Sequence, residues 1–336
     1  MKTNNILLLS LVAIGLLASC EDEICLLDPN SEPQRLTVNA ICTTGETDNH
    51  VLVSRTAPIQ PEILPSSHLT LWVNGEMTEE HNSYVNGTPL TTQFHPNDEV
   101  RLEIADGKQK ASAQVTVPQA IEIVGIDTLH FNYAELDNSG IKPYVRFLIH
   151  LRQPAGQQGE QYYRLTLHHE ITTYHVIYLK DNIIQQIDSP KVCFSQYQYD
   201  YDAALSESSV KINDDNGFIE WLETMPNKYG LFRSSFFKDG EYTLCIDVPS
   251  EIWWEGIGHH IVYRFRVHTL PKIEYLYLNA VNALTWYDAD MFTSNPVILP
   301  SNIEGGAGIF SISSVTEACV EERNITHHVG DHYERE

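Results

Sequence analysis

The chain has 336 residues, with 45 Asp and Glu against 21 Lys and Arg, for a formal net charge of -24. Such a surface repels nucleic acid and argues against polyphosphate or anionic polysaccharide partners; it favours cations, metal complexes or cationic peptides. Hydrophobic content is 42% and charged content 20%, enough to bury a core, and the length exceeds one typical domain, so two domains are expected.

Lys2 precedes an apolar run, Ile6 to Leu17, that is too short to span a membrane as a mature helix. Leu17-Ala18-Ser19-Cys20 follows and resembles a bacterial lipobox. The cysteine is needed because its thiol forms the thioether to diacylglycerol, and small residues precede it because the peptidase pocket admits little else. Residues 1–19 are therefore expected to be a lipoprotein signal peptide, Cys20 the lipidation site and residues 20–34 a lipidated tether. At about 0.8 kcal/mol per buried methylene, two or three acyl chains anchor stably where one would not. Glu21, Asp22 and Glu23 resemble the export signal that sends Bacteroidota lipoproteins to the outer face of the outer membrane. Five further cysteines, Cys25, Cys42, Cys193, Cys245 and Cys319, show no CxxC spacing, which argues against a zinc ribbon or thioredoxin motif. Export permits disulfides, and Cys193 with Cys245 is one candidate pair.

From Arg35 the pattern becomes short β segments. Leu36 to Ile41, His50 to Arg55 and His68 to Val73 are expected strands, and Asn74-Gly75 is a hairpin signal. Glu99 to Ile104 leads to a turn at Asp106-Gly107, Lys110 to Val117 alternates, and Pro118 closes the region. Residues 35–118 thus read as an immunoglobulin-like antiparallel β-sandwich without a Cys–Trp–Cys signature. A larger β-rich domain, sandwich or barrel-like with one or two short helices, is expected over 119–315. Its strands are Ile121 to Ile126, Tyr144 to Leu151, Tyr162 to Leu167, Ile171 to Leu179, Ile183 to Ile187, Glu241 to Ile246 after Asp239-Gly240, and Ile261 to Val267. Phe218 to Met225 reads as a helical turn. Between Lys272 and Asp290 the apolar residues fall three or four apart after Pro271, the strongest helix signal in the chain. Residues 316–336 read as a polar His/Glu-rich tail.

The most unusual string is Ser301-Asn302-Ile303-Glu304-Gly305-Gly306-Ala307-Gly308-Ile309-Phe310. Its glycines permit positive backbone angles or close backbone approach. It lacks the phosphate-loop pattern, and no βαβ unit surrounds it. A tight turn or bulge feeding a terminal strand, Ile309 to Val315, is favoured over direct ligand contact.

SNIEGGAGIF is similar to the near-C-terminal SNIEGGLGIF motif of a Bacteroidota outer-membrane lipoprotein family, domain of unknown function 4249, with Ala307 in place of the more usual Leu. Phe232 to Leu244 resembles that family's FSDELFNGKEYTL region. Arg233 and Ser234 stand where Ser-Asp is usual, and Asp239-Gly240-Glu241 replaces the lysine-containing turn. The VNA…VLVSRTAPI string, Thr116 to Pro118 and the aromatic-rich helix also fit, so the resemblance spans most of residues 25–315. It implies a two-domain β lipoprotein, often encoded near a TonB-dependent outer-membrane transporter, and assigns no catalytic residue. The residues it marks are Ser301, Asn302, Ile303, Glu304, Gly305, Gly306, Gly308 and Phe310.

Histidine occurs 15 times. His168-His169 and His175 lie around a predicted strand and His259-His260 on a loop, while His327, His328 and His332 sit in the tail and are candidate metal ligands. Adjacent histidines on a strand point to opposite faces. No HExxH, GxSxG elbow or cysteine signature is present, so neither an enzyme nor a cofactor is expected. Tyr197, Tyr199 and Tyr201, with Trp253 and Trp254, are candidate ligand-binding aromatics, since faces with polar tips suit peptides, glycans or ring-shaped ligands. The reading that follows is a surface-exposed, lipid-anchored outer-membrane protein that binds a nutrient small molecule, peptide or glycan for a TonB-dependent transporter. A structural or adhesive envelope protein and an undetected hydrolase are the alternatives.

Overall fold

A computed structural model describes residues 34–56, 62–107, 109–134, 141–179, 182–187, 191–195, 197–199, 201–207, 227–250, 257–286 and 299–324. The first lobe begins with β1 (Leu36–Thr43), β2 (Leu52–Arg55) and β3 (Glu62–Ile63). It continues with β4 (Ser67–Val73), β5 (Glu76–Tyr84), β6 (Glu99–Asp106) and β7 (Gln109–Thr116). The hairpin between β4 and β5 turns at Asn74 (φ 53°) and Gly75 (φ 84°), the positive pair that a two-residue hairpin loop requires and that Asn-Gly supplies. Strands β4 to β7 form one antiparallel sheet in the order β5-β4-β6-β7.

The second lobe contains β8 (Glu122–Ala134), β9 (Ile141–Arg152), β10 (Tyr162–Leu179), β11 (Asn182–Ile187) and β12 (Lys191–Phe194). A short helix α1 (Ala203–Glu207), β13 (Leu231–Arg233), β14 (Glu241–Pro249), β15 (Ile257–Leu270) and α2 (Lys272–Trp286) follow, and β16 (Gly306–Asn324) ends the described chain. Strands β14-β9-β8 make a small sheet. The remaining strands form one long curled sheet, β11-β10-β15-β16-β1-β2-β3, with β12 and β13 also paired to β10. The protein is thus mainly β, with sandwich lobes and a half-barrel curl.

Strand β16 joins the lobes. Its first part pairs in parallel with β1, from Leu36↔Gly306 to Thr43↔Ser313. Its second part pairs antiparallel with β15, from Thr269↔Ser314 to His259↔Asn324. One face of the strand serves both cores: Phe310 and Ile312 are fully buried with Val38, Leu71 and Leu102 in the first, and Val320 packs on the second, around Phe147, Leu165 and Phe265. The connection between lobes is held at the same place. Val117 is buried in the first core and Ile121 in the second; the hydroxyls of Ser314 and Thr316 donate to the carbonyls of Pro118 and Ile121, and Ile121 N donates to Thr269 Oγ1 at 3.0 Å.

Several expectations change here. The first sandwich is completed by a strand from the other end of the chain, and that strand runs parallel to β1 where an all-antiparallel sheet was expected. The strand continues through 316–324, inside the range expected as a polar tail; Glu317, Glu321 and Arg323 turn outward, but the inward face also carries Thr316 and Glu322 beside Val320, so composition alone conceals the strand. Tyr162 to Leu179 is a single strand rather than two. Cys193 and Cys245 do not pair: both are free thiols, on β12 and β14. Helix α2 spans 272–286, and its expected continuation to 290, the Phe218 to Met225 turn, residues 1–33 and the tail from 325 lie outside the described residues.

Candidate functional site

Period-2 alternation turns the other face of the long sheet away from the two main cores; helix α2 covers one end of it with a small cluster of Leu231, Leu270, Tyr275 and Leu278, and among the described residues the rest stays open. On β10 the residues Tyr163, Leu165 and Leu167 are buried in the second core, so Arg164, Thr166 and His168 turn away. On β15 Tyr263, Phe265 and Val267 are buried, which turns Arg264, Arg266 and His268 to the same side. On β1 Leu36, Val38, Ala40 and Cys42 go inward, leaving Asn39, Ile41 and Thr43. These residues line a cleft of about 530 Å³ where the two lobes meet, walled by Leu52, Phe194, Tyr277 and Ile309 and rimmed by Glu46, Asp48 and His50. A smaller hollow of about 200 Å³ continues along the sheet past His168, Arg264 and Arg266.

The charges in the cleft are arranged unequally. Arg266 Nε lies 2.7 Å from Glu317 Oε2 and its Nη1 2.8 Å from Glu46 Oε1, and Arg264 Nη1 lies 2.5 Å from Glu317 Oε1. Burial pushes the Glu317 carboxyl up, but hydrogen bonds from Arg264 and Arg266 outweigh it and hold it below its ordinary range. Arg164 has no such partner. Among the described residues no carboxylate forms an ion pair with its guanidinium, and its Nε is buried without an acceptor. Its register neighbour His268 is held neutral. Burial first, then the charges of Arg164 and Arg266, push its imidazole down to about 3. His268 instead sits 3.5 Å from Thr166 Oγ1 and 3.4 Å from Ser313 Oγ. His168 is also lowered, by burial and then Arg266, and its ring lies 4.0 Å from that of Phe194. Behind the wall, Glu274 of α2 is 1% exposed and accepts from Ser311 Oγ at 2.7 Å. Burial pushes its carboxyl up, partly offset by that hydrogen bond and by the Arg164 charge, which favours the neutral form. Arginines and carboxylates thus share the cleft inside a strongly acidic protein, with Arg164 outside the Arg264–Glu317–Arg266–Glu46 ion-pair chain.

The sequence candidates fall elsewhere. Tyr197 donates from its hydroxyl to Leu165 O at 3.2 Å, and burial, as the largest cause, raises its phenol pKa. Tyr199 packs on the same core and accepts from Asn227 N. Both ring systems close the second core instead of lining the cleft. Tyr201 is 70% exposed, with the Arg146 guanidinium 5.3 Å from its ring centre, and it too is away from the cleft. Trp253, Trp254, Cys20, His327, His328 and His332 lie outside the described residues. Among the described residues no group of three or more His, Cys, Asp or Glu side chains is arranged to hold a metal ion. His168 and His169 point to opposite faces: the first lines the cleft, and the second, buried, is hydrogen-bonded to the Ser195 hydroxyl. Arg164, Thr166, Arg266 and His268 were missed because nothing in the sequence distinguishes them from ordinary outward strand residues. The only signal is that β15 carries Arg264 and Arg266 at alternate positions, and β10 carries Arg164, on an otherwise acidic chain.

The glycine-rich string is a backbone junction. Ser301 Oγ accepts from Ile303 N at 3.2 Å, Glu304 exchanges backbone hydrogen bonds with Ser112 at 2.8 and 3.0 Å, and Ile303 is buried. Asn302 clamps Phe310 with Nδ2 to its carbonyl at 2.8 Å and Oδ1 to its N–H at 3.0 Å. A side chain on Gly305 or Gly306 would meet Lys110 O or Leu36 O at 2.5 Å, and one on Gly308 would meet Val38 O at 2.1 Å. The glycines let β16 lie against β7 and β1 at once, which builds the cleft wall at Ile309 and Asn39.

Two mainly β lobes joined by a shared strand thus enclose a polar and aromatic cleft at their junction. Residues 22–318 match the family described as domain of unknown function DUF4249, and the chain belongs to that family. Comparison with curated proteins finds no match.

Proposed function

We propose that the protein is a surface lipoprotein of the outer membrane that captures a nutrient in the inter-lobe cleft and delivers it to a TonB-dependent transporter. The cleft carries this reading. Its volume of about 530 Å³ lies within the range of small-molecule sites, and its mainly polar and charged lining is joined by the apolar faces of Ile41, Leu52, Phe194 and Tyr277. The lipobox at Leu17 to Cys20 and the acidic Glu21 to Glu23 segment supply the anchoring and export part of the reading, and the family resemblance supplies the transporter. His268 beside the Thr166 and Ser313 hydroxyls is a weak base, its imidazole pushed down to about 3 by burial and then by the charges of Arg164 and Arg266, which favours binding over proton transfer.

The test is purification of the full chain from membranes of its native host, followed by mass spectrometry of co-purifying proteins and of small molecules released on denaturation. A TonB-dependent transporter and a released small molecule are expected. Recovery of neither, together with no binding in a screen of peptides, glycans, haem and metal ions, would overturn the proposal.

A further inference from the structure

Arg164 is the cleft arginine that makes no ion pair among the described residues; the Glu274 carboxyl lies within its electrostatic reach, and burial there favours the neutral form. The guanidiniums of Arg264 and Arg266 are balanced by Glu317 and Glu46; that of Arg164 makes no ion pair among the described residues, although it belongs to a chain with 45 acidic side chains. An ammonium or guanidinium facing a partly desolvated cleft is unfavourable without an anion beside it. The chain itself shows how it holds a carboxylate elsewhere: Arg146 meets Asp247 through Nε and Nη2, both at 2.7 Å, the planar fork that suits a carboxylate.

Resting on the reading of the cleft as a ligand seat, we infer that Arg164 binds the carboxylate of an organic monoanion whose apolar body lies against Ile41, Leu52, Phe194 and Tyr277. The rim decides the charge of the ligand. Glu46 and Asp48 stand at the cleft mouth, and Asp48 makes no ion pair among the described residues. A polyphosphate or a sulfated glycan would bring several charges past these carboxylates, while a single carboxylate pays that repulsion once and gains the Arg164 contact. Thr166 beside Arg164 on β10 and His268 opposite it on β15 supply neutral hydrogen-bonding groups on the same floor. His268, whose ring nitrogens face the Thr166 and Ser313 hydroxyls, is neutral and does not add a second cation.

The source of the carboxylate is a free organic acid or a peptide C-terminus, and two probes separate them. Binding of benzoate and of N-acetyl-phenylalanine to the full chain in detergent micelles is measured by ligand-observed NMR and equilibrium dialysis, each against its primary amide, with inorganic phosphate alongside. At least one acid is expected to bind at least about tenfold tighter than its amide, and the better of the two acids names the source. Arg164→Gln removes that preference, Arg164→Lys retains part of it, and Arg152→Gln, on the far sheet, leaves it unchanged. Circular dichroism shows that each variant is folded, and the lysine variant keeps the test decisive if the glutamine variant is not. Failure of both acids to bind, equal binding of acid and amide, tighter binding of phosphate, or a preference that survives in folded Arg164→Gln overturns the inference. Equal binding of acid and amide would leave nutrient capture standing; an acid preference in a protein that finds no transporter would overturn the transporter reading and leave the inference intact.

Discussion

Substituting Gly308 by alanine separates a structural glycine motif from a ligand-contacting one. Gly308 has φ 104° and pairs with Val38 across the parallel β1–β16 ladder, and a Cβ there would lie 2.1 Å from Val38 O and 2.9 Å from Asn39 Oδ1. The first conflict is with backbone, so relief requires opening the ladder that carries Phe310 and Ile312 into the first core. Holding a non-glycine residue at such a φ costs about 1–3 kcal/mol, and the added methyl costs about another 1–3 kcal/mol as overpacking, so roughly 2–6 kcal/mol is expected in total. Gly45→Ala is the reference: Gly45 has φ 77° with nothing within 4 Å of the added Cβ, so only the backbone cost of about 1–2 kcal/mol applies. Urea unfolding followed by circular dichroism and a thermal scan measure the difference; each kcal/mol shifts Tm by about 2–4 °C in a domain of this scale. Gly308→Ala melting at or above Gly45→Ala would refute the close-approach account of the motif and return it to the ligand-contact reading.

Asn302→Ala removes both hydrogen bonds to the Phe310 backbone, and a loss of about 1–3 kcal/mol is expected by chemical denaturation. His268 gives a pH signature. Its folded-state imidazole is held at about 3 against an ordinary 6.5, so below 6.5 the unfolded chain binds the proton first and stability falls as pH drops from about 6.5 towards 3. The slope from this group is at most about 1.4 kcal/mol per pH unit, and His268→Gln should flatten the curve over that window and leave it unchanged above pH 7; equal slopes for both proteins would refute it. Cys20→Ser should release the protein from the membrane fraction on fractionation and immunoblotting, and retention would refute lipid anchoring through that thiol.

Strand content, the Asn74-Gly75 hairpin, the turn before β14 and the principal helix were legible from sequence because they rest on neighbours in the chain. Asn74-Gly75 and Asp239-Gly240 each carry two positive φ values, which few residue types other than glycine and asparagine or aspartate adopt readily. Alternation assigned Leu36, Val38 and Ala40 inward, and the three-or-four spacing after Pro271 marked α2. The glycine string was legible as a place of close approach, but not what it approached. That Gly308 meets Val38, or Gly305 Lys110, depends on pairing residues some two hundred or more positions apart, and no local preference encodes a partner at that distance. The cleft is a product of the same pairing. Arg164 and His268 are ordinary outward residues on separate strands until β10 and β15 align, and Asn39 and Ile41 join them only because β16 binds β1 on one side and β15 on the other. The net charge of -24 is a property of the whole surface, whereas the sign at the cleft floor depends on which few side chains tertiary pairing brings within Coulombic reach of one another.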